Sequence, residues 1–316
     1  MSPLLRRNLQ MLPGLLFAVL IAGINFALFP RFLRLFSSHL LLVMPVAFLA
    51  LGETIVMATG EVDLSLGAAL ILVNAVSVVA HSDYGISGPL FLIIGLATGL
   101  TIGFIHGLLV SLGRVNSFLA TVGTSFAWSG LALLILGEPR GSVPSWFSEL
   151  FSTGLAGIPI GLWLLFGSLC IFVIFEFSPL AVKFYAVGSA PRSAFAMGIN
   201  VNRIKFYAFL LNGLLVGLAG LTITGIIGSG DPRLGSFSTL QAILAALIGG
   251  ASFAGGTGNG AGAVFAAIGL QFTRNLVAWF GIPHYLLDLT YGGIIVLLII
   301  AISFARRMLE TKGMKG

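Results

Sequence analysis

The chain has 316 residues, of which 58% are hydrophobic and 8% charged, with a mean hydropathy of +1.08. Soluble domains carry about 25% charged residues, so this composition excludes a water-soluble fold: lipid has to solvate most of the surface. The formal charge of +6 does not point to nucleic acid, because the basic residues stand at the ends of apolar runs, where they set membrane topology.

A span needs about 20 apolar residues. In chain order the apolar runs predict ten spans, at 12–30, 40–58, 66–82, 89–113, 118–137, 159–178, 206–228, 239–250, 260–281 and 285–305. The first follows Arg6 and Arg7 in the manner of a signal peptide, but the many equally apolar runs behind it favour an uncleaved span. Turn chemistry marks the joins at Pro30, 87–89, 139–144, 178–179 and 231–232. With the N-terminus cytoplasmic, 11 of the 16 Lys and Arg fall inside: Arg6, Arg7, Arg114, Lys183, Arg192, Arg203, Lys205, Arg306, Arg307, Lys312 and Lys315. An even span count then returns the C-terminus to the cytoplasm. Trp146 and Trp163 read as interface anchors.

The longest polar cytoplasmic segment lies between the sixth and seventh spans, at 179–205. Pro191 suits the first turn of a short helix with Ser189 as its cap, and Gly198 suits its end. It is either a docking loop for a soluble partner or a solvated connector.

Two stretches interrupt the apolar pattern. One is ATGEVDLSLG at 58–67, the other GGASFAGGTGNG at 249–260. Irregular backbone at membrane depth survives only where protein or a water-filled cavity satisfies it, and paired breaks point to the solute pathway of repeat-built transporters. The fold read from this pattern is an all-α integral membrane domain over 1–316, in two inverted five-helix halves with broken or re-entrant segments. The candidate pathway residues are Asp63, Ser65, Asn74, Asn116, Phe118, Thr121, Gly249, Gly250 and Ser252. The plainer reading of the polar ones, and of Asn212, Gln241, Gln271 and Asn275, is hydrogen bonding between neighbouring helices; Phe118, Trp128 and Phe237 are packing or sugar-stacking residues. Glu61 and Asp63 are read as an interfacial loop in which Asp63 and Ser65 cap a helix beginning at Leu64. Glu53 lies deeper, with no partner evident in sequence.

No Gly-x-x-x-x-Gly-Lys-[Ser/Thr] phosphate loop occurs, and His39, His81, His106 and His284 are too far apart for metal-ligand spacing. The lone Cys170 has no partner for a disulfide. No catalytic constellation appears, so any ATP hydrolysis belongs to another chain.

Four blocks, TIVMATGEVDLSLGA at 54–68, VNSFLATVGT at 115–124, YAVGSAPRSAFAMGINVNRIKFYAFLLNGLLVGLAGL at 185–221 and LQAILAALIGGASFAGGTGNGAGAVFAA at 240–267, resemble the permease subunits of bacterial ATP-binding-cassette (ABC) importers of the ribose, xylose and galactoside class. The resemblance spans roughly residues 40–305. It implies a ten-span, inner-membrane permease without cofactor of its own, paired with a second copy or a sister permease. Two ABC ATPase subunits would hold ATP and magnesium, and a periplasmic or lipid-anchored binding protein would deliver a sugar; no nucleic acid is involved. It also assigns the coupling segment to Gly188, Arg192, Gly198 and Asn200. One departure stands out: Glu61 replaces a glycine of the family's Gly-Gly-Ile-Asp-Leu-Ser element, which questions close packing there. The competing reading is an ion-coupled secondary transporter using Glu53, Glu61 or Asp63.

Overall fold

The computed structural model describes residues 10–233, 235 and 238–283, with 286, 289, 292, 293 and 297 beyond them. The expected tenth span, Phe237, His284 and both termini lie outside the described residues. Among those described, the chain is helical: α1 (Leu12–Leu28), α2 (Phe36–Ala58), α3 (Leu66–Ser82), α4 (Pro89–Gly107), α5 (Ser117–Leu136), α6 (Ser145–Thr153), α7 (Ile160–Glu176), α8 (Pro179–Ser189), α9 (Pro191–Ala196), α10 (Val201–Ile227), α11 (Ser238–Ile248) and α12 (Gly260–Trp279).

Helix starts follow local chemistry. Proline opens α4, α8 and α9, where its missing N–H costs nothing. Asn116, Asn200 and Asn259 cap α5, α10 and α12, each side-chain oxygen accepting a backbone N–H from three residues ahead. Ser189 is not the cap of α9: α8 runs on through it, and Ala190 takes the cap position without a side-chain bond. Residues 201–205, expected in the loop, already form the first turn of α10. The nine-residue α6 was hidden behind the turn signals of 139–144. Its Phe147 is buried against Phe91, and Trp146 donates to Ser87 Oγ.

Among the described residues, five segments are by length and composition able to cross a membrane (31–58, 89–112, 117–136, 201–227 and 260–279), and a sixth if α7 and α8, bent by 74°, are one span. Three expected spans, α1, α3 and α11, are shorter apolar helices, and α3 and α11 are cut short by the breaks. The eleven residues of α11 reach only about 16 Å at 1.5 Å per residue, half the hydrocarbon thickness.

Lipid gives helices little hydrophobic reason to associate, so close packing of small residues has to do so. On α4, Gly95, Gly99, Gly103 and Gly107 recur every four residues and face α10. A methyl group on Gly99 would sit 2.4 Å from Gly213 O, and one on Gly103 2.3 Å from Phe209 O. The two backbones are in contact there, and α10 becomes the central post against which α2, α3 and α4 all lie.

The breaks are not equivalent points of two inverted halves. The starts of α2 and α11 line one cavity, through Leu42 and Pro45 and through Ser238 and Gln241, and their ends meet at one junction described below. The two helices therefore run parallel, whereas inverted equivalents run antiparallel.

Candidate functional site

The two breaks are joined by a backbone hydrogen bond: Gly256 N–H donates to Ala58 O at 3.0 Å.

 

The end of α2 and the second break are thus bonded to each other directly. Gly188 of α8 is wedged into the same place. A methyl group there would lie 2.0 Å from Ala58 O and 2.4 Å from Gly256 N, and one on Gly255 would lie 2.8 Å from Gly60 Cα. Tyr185, also on α8, donates to Gly258 O at 3.0 Å. The close approach that Glu61 put in question is made one residue earlier, at Gly60.

The first break leaves no backbone donor unpaired from Thr59 to Ser65. Thr59, Gly60 and Glu61 N–H return to carbonyls of α2. Val62 N–H donates to Ser117 Oγ at 3.3 Å, Asp63 N–H to the Glu53 carboxylate at 3.2 Å, Leu64 N–H to Thr121 Oγ1 at 3.0 Å, and Ser65 N–H to Asp63 Oδ1 at 2.8 Å. Side chains of α2 and α5 thus replace the helical ladder, as buried irregular backbone requires. Glu53, without an evident partner in sequence, accepts the Asp63 amide while fully buried.

Asp63 is 2% exposed, so it is an interior group and not part of an interfacial loop. Its Oδ1 accepts both the N–H and the hydroxyl of Ser65, the latter at 2.7 Å, and its Oδ2 accepts Asn212 Nδ2 at 2.8 Å. The helix begins at Leu66 and its cap residue, Ser65, makes no side-chain cap bond. His106 Nδ1 lies 3.4 Å from Asp63 Oδ2, a charge contact too long and poorly aligned to count as a hydrogen bond. Trp128 Nε1–H, which can only donate, points at His106 Nε2 at 3.3 Å, and Thr124 Oγ1 lies 2.7 Å from the same nitrogen. His106 was passed over in the sequence because it has no ligand spacing. Its signal was its place on the glycine face of α4. Among the described residues, no group of three His, Cys, Asp or Glu side chains is placed to hold a metal ion.

The other candidate residues are dispersed. Asn74 is buried, donating to Thr224 Oγ1 and Ser229 O and accepting Asp231 N–H, so it ties α3 to α10 and the turn after it. Phe118 is exposed, Gly249 is packed against Ala263, Gly250 has φ +92°, and Ser252 Oγ accepts Ala254 N–H. Asn116 lines a cavity of about 440 Å³ with Glu61, Arg114, Asn202 and Lys205. There Lys205 donates to Glu61 in a half-buried ion pair. We expect a Glu61→Gln, Lys205→Met double-mutant cycle, read by thermal unfolding in detergent, to give a coupling of about 1 kcal/mol that shrinks at high salt.

At the opposite end of the molecule, Arg140 donates through both terminal nitrogens to Asp83, at 3.0 and 3.1 Å. Those hydrogen bonds hold the Asp83 carboxyl below its ordinary range. Whatever stability this exposed pair adds is present above the ordinary carboxylate pKa and is lost as pH falls through the depressed one. At the end that holds the Glu61–Lys205 pair, the segment 190–200 is mostly exposed. Arg192, Gly198 and Asn200 are exposed on it, with Phe195 and Met197 at 73% and 70%.

A helical membrane chain with two breaks bonded to each other and packed on the root of an exposed loop has the anatomy of a transport permease. Residues 35–302 match the family model described as "Branched-chain amino acid transport system / permease component", and the chain belongs to that family. It is 32% identical to the ribose import permease protein RbsC of Haemophilus influenzae, covering 82% of this chain and 81% of that one. It is 31% identical to RbsC of Bacillus subtilis, over 81% and 80% of the two chains. Against the autoinducer 2 import system permease protein LsrC of Enterobacter sp. it is 32% identical, over 87% and 82%. No solved structure matches this chain.

Proposed function

We propose that this chain is the membrane-spanning subunit of an ABC importer that moves a sugar or sugar-like solute across the bacterial inner membrane by alternating access. The observation that carries the reading is the junction at Gly188, where the root of the exposed loop packs directly on both breaks. ATPase subunits holding ATP and magnesium would dock on segment 179–205, where the exposed Phe195 and Met197 flank Arg192, and their closure would pull on the breaks through α8. The relatives' names support a sugar or a sugar-like signal as cargo, delivered by a periplasmic or lipid-anchored binding protein. A second permease copy or a sister chain would complete the pathway. In this reading the chain has ten spans and both termini in the cytoplasm.

The ion-coupled alternative is disfavoured because each acid already has protein partners: Glu61 has Lys205, Asp63 has Ser65 and Asn212, and Glu53 has the Asp63 amide. Uptake in vesicles that collapses with an uncoupler at constant ATP would overturn the ABC reading. For the dock, Arg192→Glu with Gly198→Trp is expected to release the ATPase while the permease stays in the membrane. Co-purification of ATPase with that double variant would count against it.

A further inference from the structure

A cavity of about 550 Å³ lies between the starts of α2 and α11 and the ends of α10 and α12, away from the junction of the breaks. Its apolar wall includes Leu42 and Ile223, and its polar wall includes Arg233, Ser238, Gln241, Gln271, Arg274 and Asn275. Gln241 and Asn275 are only 7% and 8% exposed. Yet the Asn275 Nδ2 has no hydrogen-bond partner, and Gln241, Gln271 and Arg274 make no hydrogen bond or ion pair among the described residues. This differs from Asn74, whose amide is fully engaged within the protein. A buried polar atom without a partner is costly and calls for an explanation, and Asn275 Nδ2 is one, beside the buried Gln241, the half-buried Gln271 and the exposed Arg274.

We propose that this cavity is a binding site for a small polyhydroxylated solute, held within a single permease chain at the mouth opposite the ATPase dock. Three carboxamides present donors and acceptors side by side, which suits hydroxyls that themselves donate and accept. Arg274 adds donors, and no carboxylate stands among the described lining residues to demand a cationic ligand. The volume falls in the range of small-molecule sites, about 300–1,000 Å³. The inference rests on the importer reading and assigns that reading a place where solute pauses.

The test uses the purified permease–ATPase complex in nanodiscs, probed with D-ribose, D-xylose and D-galactose. Without sugar, Gln241→Leu is expected to raise the unfolding temperature by about 2–4 °C, since it removes a buried carboxamide to which the described residues offer no hydrogen bond. At least one of the sugars is expected to raise the unfolding temperature of the wild type, and that shift is expected to vanish in both Gln241→Leu and Asn275→Leu. A lower sugar-free unfolding temperature for Gln241→Leu, a sugar shift retained in both variants, or no shift with any sugar in the wild type would each overturn the site. ATP-driven uptake by vesicles is scored separately. Uptake of a sugar with no wild-type shift removes the site and leaves the importer reading standing, whereas no uptake of any sugar removes the importer reading.

Discussion

Gly188→Ala is expected to lower both stability and transport, although alanine is the better helix former by about 1 kcal/mol. Gly188 lies inside α8 with no positive φ, so the substitution meets no backbone strain. The obstacle is steric, and it is backbone: Ala58 O at 2.0 Å and Gly256 N at 2.4 Å from the new methyl. Those two atoms belong to the hydrogen bond that joins the breaks. Neither is the free end of a flexible side chain, so the methyl group has to separate α8 from the junction. Overpacking of this kind costs about 1–3 kcal/mol, which exceeds the gain in propensity. If α8 transmits ATPase closure, the loss of coupling falls in the range of about 5–150-fold that corresponds to 1–3 kcal/mol. Thermal unfolding and solute-stimulated ATPase activity of the reconstituted complex measure the two effects. Gly228→Ala, at the far end of α10, is the control: its φ of +67° costs about 1–2 kcal/mol, but nothing lies within 4 Å of the added methyl. Equal coupling loss in both variants would remove Gly188 from the transmission path.

The sequence located the breaks, the exposed loop and most helix ends, because proline, asparagine and glycine punctuation acts locally. It also held the evidence against inverted breaks. Counting α3, α4, α5, α7, α10 and α11 as successive reversals after α2, an even number leaves α11 parallel to α2. What it did not show was which distant residues meet. Lys205 is 144 residues from Glu61, and Asn212 is 149 from Asp63. The helix α6 was illegible for a different reason: its nine residues are too few for a clear 3.6-residue pattern beside strong turn signals.

Asp63 carries the second large prediction. Asp63→Ala is expected to destabilise the chain by about 3–5 kcal/mol, the usual effect of removing one member of a buried charged network. The loss leaves Ser65 N–H, Ser65 O–H and Asn212 Nδ2 without their acceptor. Asp63→Asn is expected to cost less, about 1–3 kcal/mol. Its oxygen still serves Ser65, but its new N–H₂ faces the Asn212 N–H₂, donor against donor. That conflict has a specific remedy. In Asp63→Asn with Asn212→Asp the charge and the amide exchange places, and the N–H₂ at 63 regains an acceptor at 212. The exchanged pair is expected to unfold at a higher temperature than Asp63→Asn alone, with a favourable coupling in the double-mutant cycle. Additive losses would mean that Asp63 and Asn212 do not act through the bond between them, and that the first break is held by Ser117, Thr121 and Glu53 without help from α10.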